Sequence, residues 1–144
     1  MHDGASDECV LACVRLVRRV SYGQTVAVDA GDAILAEYIG TLRSSKKSGV
    51  GRKLALFLWH RRHDGKTCHK LPITPLNEPA GSFAEVPTTL RDFDTDDQKF
   101  LAVAAAESRT PPIFQALDDE WWRRRPDFAA NGLDVQFLCV ADVL

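Results

Sequence analysis

The sequence predicts an α/β fold, a three-layer sandwich with a mostly parallel central sheet that forms one domain over residues 1–144. The length of 144 residues suits one hydrophobic core. Short β-branched runs alternate with stretches of helical apolar spacing, and that alternation is typical of parallel sheets covered by helices. Apolar content of 45% and charged content of 26% are ordinary for a globular protein.

The first half of the chain shows clear start and stop signals for helices. Ser6 can cap a helix that carries two acids in its first turn, and Gly23 can end it. The β-branched run that follows favours a strand. In order, the predicted elements are a helix from Ser6 to Gly23, a strand over Thr25–Asp29, a helix over Ala33–Arg43, a basic loop over Ser44–Gly51, a helix over Arg52–His63 and a strand over Cys68–Ile73.

The second half begins with a proline-rich loop of roughly twenty residues, a length usually associated with function or mobility. The amphipathic stretch Phe93–Ala106 then predicts a helix with acids in its first turn, where Thr95 and Gln98 fit a capping box. The remaining predicted elements are a strand over Ile113–Leu117, a helix over Asp119–Ala130 strained at Pro126, and a strand over Asp134–Val140.

The four cysteines, at positions 9, 13, 68 and 139, show no C-x-x-C spacing. Cys9 and Cys13 are one helical turn apart, so we expect both to be core thiols in a reducing compartment. No apolar run is long enough to span a bilayer, and the N-terminus is too acidic for a signal peptide. We therefore expect a cytoplasmic protein without membrane association.

Acidic side chains gather near the predicted carboxyl ends of the strands, where ligands bind in parallel sheets. Clustered carboxylates raise one another's pKa unless a cation neutralises them, and Mg²⁺ or Mn²⁺ is the natural partner. The same acids have a second explanation as helix caps and turn residues, which we favour for Asp29 and Asp32 and leave open for Asp119. The acids concerned are Asp29, Asp32, Glu37, Asp94, Asp96, Asp97, Asp118, Asp119 and Glu120.

Basic residues are concentrated in one segment. Residues 43–70 hold nine Lys or Arg and a single acid, a formal charge of +8, which leaves −10 for the rest of the chain. Such a segment can bind a polyanion or can be a solvated helix face. The candidate nucleic-acid-binding residues are Lys46, Lys47, Arg52 and Lys53. Trp121 and Trp122 can stack on bases, or one can lie in the core and the other at its rim.

Four stretches together resemble PIN-like domains, the metal-dependent ribonucleases common in toxin–antitoxin pairs. They are ILAEY, FDTDDQKFLAVA, PPIFQALDDEWW and GLDVQFLCV, within residues 9–140. The resemblance implies Mg²⁺- or Mn²⁺-dependent cleavage of single-stranded RNA and an antitoxin protein as partner. It implies that Glu37, Asp97 and Asp118 are the catalytic metal ligands, supported by Asp94 and Glu120.

The sequence departs from this family at its start. PIN-like domains begin with a central strand that ends in a metal-binding Asp, and no apolar strand precedes the first helix here. We therefore expect the N-terminal strand and its Asp to be missing, metal binding to be weak and activity to be low. Exposed sheet edges would also favour a homo-oligomer. The alternatives are a non-catalytic PIN-like module that binds RNA or protein, and a small α/β protein whose acids are only caps.

Overall fold

The computed structural model describes residues 6–44, 50–116 and 118–140. Their fold is mixed α/β, as predicted, with six α-helices and four short strands. The elements are α1 (Asp7–Ser21), β1 (Val26–Asp29), α2 (Ala33–Ser44), α3 (Val50–His60), β2 (Cys68–Leu71), α4 (Gln98–Ala106), β3 (Ile113–Gln115), α5 (Asp119–Arg123), α6 (Arg125–Ala130) and β4 (Val135–Phe137), with a 3-10 turn at Thr88–Leu90. No helix in the described ranges is long and apolar enough to cross a membrane.

The strands form two parallel pairs within the described part of the chain. β1 pairs with β2 in a register that places Val26 opposite Cys68, and β3 pairs with β4 with Ile113 opposite Val135. Helices α2 and α3 connect the first pair, and α5 and α6 connect the second. Parallel neighbours need such long crossovers, so the prediction of parallel strands linked by helices is confirmed at this level.

Helix α4 lies between two clusters of buried apolar side chains. Three of its residues enter the cluster built on the loop before α4 and on α5 and α6, whereas Val103 enters the cluster around β1, α2 and α3. The first cluster is Val86, Leu90, Phe93, Leu101, Ala102, Ala104, Trp121, Phe128 and Leu133, and the second is Val28, Ile34, Leu35, Leu58, Cys68 and Val103. Both strand pairs are therefore positioned against one central helix.

The start of α4 differs from the prediction. The helix begins at Gln98, so the acids before it lie in a preceding turn and not in its first turn. No capping box forms, because the buried Gln98 amide donates to the carbonyl oxygens of Arg91 and Phe93, while its oxygen accepts from the Ser82 hydroxyl. Those hydrogen bonds pair polar groups of the loop before α4. Four residues of that loop are buried: Ser82, Val86, Leu90 and Phe93. That loop is thus a packed part of the core.

The predicted helix over Asp119–Ala130 is divided into α5 and α6. Proline lacks an N–H and restricts the residue before it, so Pro126 is tolerated only in the first turn of a new helix. Arg124 marks the break and stabilises it, with its guanidinium bonded to Asp92 at 3.0 Å and to Asp127 at 2.6 Å.

Helix α1 follows the prediction, since the Ser6 hydroxyl accepts the Cys9 N–H at 3.1 Å. The expectation that Cys9 is a free thiol is wrong, because a disulfide joins Cys9 to Cys139. Cys13 and Cys68 are free. The two bonded residues are 130 positions apart, so no local spacing pattern reveals their pairing. The disulfide fixes α1 against the segment after β4.

Candidate functional site

Three predicted acids, Glu37, Asp94 and Asp118, lie around Asp97, the residue directly before α4, and the four carboxylates form an acidic group. Burial raises the pKa of the Asp97 carboxyl, and the negative charges of Asp94, Asp118 and Glu37 raise it further. A hydrogen bond from the indole N–H of Trp121 to Asp97 Oδ2, at 3.3 Å, opposes that rise in pKa. The fold thus brings Glu37 and Asp118, which are distant in sequence, within electrostatic reach of the Asp97 carboxylate.

Glu37 reaches this group because α2 packs against α4. The Tyr38 and Phe100 rings stack across the two helices with centroids 6.3 Å apart. Glu37 Oε1 accepts from the ammonium of Lys99 at 3.1 Å, and the same ammonium donates to the carbonyl oxygen of Asp96. A lysine therefore already supplies one positive charge at the edge of the acidic group.

Asp118 follows β3, at the carboxyl end of the second strand pair. Its Oδ1 accepts the N–H groups of Glu120 at 3.0 Å and Trp121 at 3.4 Å, so Asp118 is the N-cap of α5. The cap role that we left open for Asp119 belongs to Asp118, and Asp119 is exposed in the first turn. Glu120 is half-buried next to it and is not among the charges that shift the pKa of Asp97.

Asp29 is a buried carboxylate that the sequence reasoning treated only as a turn or cap residue. It ends β1 and is 2% exposed, and its two oxygens accept the N–H groups of Ala33 at 2.8 Å and Ile34 at 2.9 Å. The prediction that it caps α2 is therefore confirmed. The run TVAVD, a β-branched strand that ends in an acid, was the signal that could have marked it as a site candidate too.

Asp32 binds cations from the basic segment. Its carboxylate lies 2.9 Å from the Lys70 ammonium and 3.9 Å from the Arg62 guanidinium. Asp32 also has a φ of 61°, in the left-handed region that Asp tolerates in turns. The predicted turn role of Asp32 is therefore confirmed.

The four carboxylates of the acidic group do not lie close enough together to bind one metal ion as they stand. In the described ranges, one group of three His, Cys, Asp or Glu side chains has its ligand atoms close enough together for a metal ion: Cys9, Cys13 and Cys139, whose sulfur atoms lie within 4.8 Å of one another, although two of these sulfurs are joined in the disulfide. The carboxylates around Asp97 interact through their charges, and they would have to move closer together to share one ion.

Of the predicted nucleic-acid-binding residues, Arg52 and Lys53 are exposed in the first turns of α3. Lys46 and Lys47 lie outside the described residues. Trp121 is 1% exposed, and its ring meets Phe93 edge-on at 5.0 Å between centroids. It is therefore a core residue and cannot stack on a base.

Trp122 is half-buried at the rim of the core. The Arg125 guanidinium lies 3.4 Å from the centre of its ring, and Phe137 packs edge-on at 5.0 Å between centroids. The alternative in which one tryptophan is in the core and the other at its rim is confirmed.

Comparison of the chain with models of protein families, with curated protein sequences and with solved structures gave no match.

Proposed function

We propose that the chain is a PIN-like, Mg²⁺- or Mn²⁺-dependent endoribonuclease in which Glu37, Asp97 and Asp118 hold the ion. The observation that carries the proposal is that the half-buried Asp97 carboxyl lies within electrostatic reach of three further carboxylates, whose charges raise its pKa together with burial. Such mutual repulsion destabilises a folded protein unless a cation relieves it. Carboxylate oxygens at a partly open site are the ligands that Mg²⁺ and Mn²⁺ prefer.

Each residue has a distinct role in this proposal. Asp97 is the central ligand, since the Trp121 indole N–H fixes the orientation of its carboxylate. Asp118 is held rigidly by its bonds to the first turn of α5, and Glu37 approaches from α2. Asp94 and Glu120 add negative charge around the ion. When bound, the ion would activate a water for attack on the phosphodiester and stabilise the leaving oxygen.

Strand β1 supports the PIN-like assignment, although we expected the first strand of that family to be missing. It is a core strand that ends in a buried Asp, and the next helix carries Glu37. We propose that β1 takes the place of the expected strand and that Asp29, as the cap of α2, positions Glu37. In the same proposal the two strand pairs belong to the central sheet of a three-layer sandwich.

The substrate we propose is single-stranded RNA, with an antitoxin protein as regulator in the cytoplasm. The support for RNA is the basic segment, where Arg52 and Lys53 expose their charges. Contacts of this kind with phosphates make binding fall steeply with salt concentration.

One contact favours a second function, a non-catalytic RNA- or protein-binding module of the same fold. The Lys99 ammonium lies 3.1 Å from Glu37 and neutralises part of the acidic group without a metal. If that ion pair persists in the presence of Mn²⁺, Glu37 is not available as a ligand and the module would bind RNA without cleaving it.

The test is cleavage of an end-labelled single-stranded RNA with Mn²⁺, with Mg²⁺ and with chelator, by the wild type and two variants. Asp97→Asn removes one charge from the acidic group, and Asp96→Asn removes an exposed neighbouring charge as the matched control. We expect metal-dependent cleavage that falls at least about a hundredfold in Asp97→Asn, since one ligand contributes several kcal/mol. The Asp96→Asn variant should cleave like the wild type.

Two outcomes would contradict the proposed nuclease activity. Salt-sensitive RNA binding without turnover in any metal would establish the binding module instead. Equal cleavage by the wild type and Asp97→Asn would show that the activity comes from a contaminant or from another site.

A further inference from the structure

Three cysteine sulfurs meet where α1 packs against the segment after β4. Cys9 and Cys139 are 3% and 4% exposed and form the disulfide. Cys13 lies one helical turn after Cys9 on the same face of α1, is half-buried and is free. Cys68 is separate from them, buried beneath α3 with its thiol 3.9 Å from the Leu58 carbonyl oxygen.

We propose that reduction of the Cys9–Cys139 disulfide converts this cluster into a three-thiolate site for Zn²⁺. Tetrahedral zinc holds its sulfur ligands at about 2.3 Å, which places neighbouring sulfurs about 3.8 Å apart. The three sulfurs already lie within 4.8 Å of one another. A side-chain rotation that moves the Cys13 sulfur by about 1 Å therefore brings it to this spacing, while the two reduced sulfurs separate to the same spacing.

The chemistry of the donors selects the metal. Thiolates are soft ligands that prefer zinc and copper(I) to Mg²⁺ and Mn²⁺, so this site does not compete with the acidic group for the same ion. In the described part of the chain, no His, Asp or Glu completes the group. The three thiolates would fill three of the four positions of tetrahedral zinc.

A dithiol reductant transfers two electrons and two protons to the disulfide, giving two cysteine thiols, and is itself oxidised to a disulfide. Zinc then displaces the thiol protons into solvent. In the reverse direction, two thiolates lose two electrons to hydrogen peroxide, which takes up two protons and becomes two water molecules. The disulfide and zinc are thus alternative cross-links between α1 and the segment after β4.

With either cross-link the same fold can persist, in oxidising and in reducing surroundings. Cys9 and Cys139 are 130 positions apart in the sequence. A cross-link that closes so long a loop restricts the unfolded chain strongly, whether the disulfide or zinc provides it. A protein in a reducing compartment would hold zinc at this position, and an oxidised protein would hold the disulfide.

The test uses Co²⁺ as a spectroscopic probe of the thiolate site, with the full chain. The protein is reduced with a phosphine, which is removed without oxygen, and Co²⁺ is added until the thiolate-to-cobalt absorption saturates. We expect one Co²⁺ per reduced chain, displaced by one equivalent of Zn²⁺, and no such absorption from the oxidised protein. Cys13→Ser should lose at least about tenfold in affinity, because only two thiolates remain.

The matched control is Cys68→Ala, which removes the one cysteine outside the cluster and should bind Co²⁺ like the wild type. Circular dichroism of every reduced sample, with and without Zn²⁺, monitors the fold. Two results would overturn the proposal: no stoichiometric Co²⁺ binding by reduced wild type, or equal affinity in Cys13→Ser. A loss of binding in Cys68→Ala with its helices intact would also overturn it.

Discussion

The Cys9–Cys139 disulfide should contribute strongly to the stability of the oxidised protein. It joins residues 130 positions apart and so closes nearly the whole chain into a loop. In the chain-entropy account, a loop of this length removes about 5 kcal/mol of unfolded-state entropy at 25 °C. Typical domains have a free energy of unfolding of only about 5–15 kcal/mol. Loss of the disulfide should therefore destabilise the fold severely.

The perturbation is Cys139→Ala, measured by urea unfolding with chelator present so that no metal replaces the disulfide. The free energy of unfolding should fall by about 5 kcal/mol, and the midpoint of thermal unfolding by about 15 °C for a chain of this size. Cys9→Ala should give a similar loss. The double variant should lose little more than either single variant, because both changes remove the same bond.

Cys13→Ala is the control, since it leaves the disulfide in place. The reasoning is refuted if Cys139→Ala unfolds within about 1 kcal/mol of the wild type, or if the losses of the two single variants add fully in the double variant.

Three further predictions concern stability. With chelator at pH 7, Asp97→Asn should raise the free energy of unfolding. Burial raises the pKa of Asp97, so the folded state binds the carboxyl proton more tightly, and stability is lost as pH rises above the unfolded carboxyl pKa. Urea unfolding measured against pH checks this, and an unchanged pH profile in the variant would contradict it. The hydrogen bond from the backbone N–H of Arg109 lowers the pKa of Glu107. The stability that the Glu107 carboxylate contributes is therefore present at neutral pH and disappears as pH falls below the unfolded carboxyl pKa. Glu107→Gln should accordingly show a flatter loss of stability in acid. Gly81→Ala should lower the free energy of unfolding by at least about 1 kcal/mol, because Gly81 has a φ of +89° and a new Cβ would lie 2.9 Å from the Thr95 Cβ; a variant as stable as the wild type would contradict this.

Local patterns predicted most of the secondary structure. The capped start of α1, the β-branched strand β1 and the helix α2 follow from residues that act on their immediate neighbours. The prediction failed where a distant contact decided the local structure. Gln98 does not cap its helix because its amide is required by carbonyl oxygens of the preceding loop, and that loop exists only in the folded chain.

The sequence identified the candidate acids of the site but not how the fold arranges them. Sequence position alone cannot bring Glu37 from α2 next to Asp97 before α4, and the contact depends on how the two helices pack. The cap role of Asp118 and the ion pair of Glu37 with Lys99 are also tertiary features. The pairing of Cys9 with Cys139 could not be read from spacing, because the two residues are 130 positions apart, whereas the approach of Cys13 to Cys9 follows from their separation of one helical turn.

Whether the carboxylates around Asp97 hold a divalent ion is tested most directly by the stability of the oxidised protein as Mn²⁺ is added. A ligand that binds only the folded state adds about 2.7 kcal/mol at a hundred times its Kd. We predict a stabilisation of this kind in the wild type and in Asp96→Asn, and its loss in Asp97→Asn. An unfolding midpoint that Mn²⁺ leaves unchanged in the wild type, or raises equally in Asp97→Asn, would contradict the proposed site.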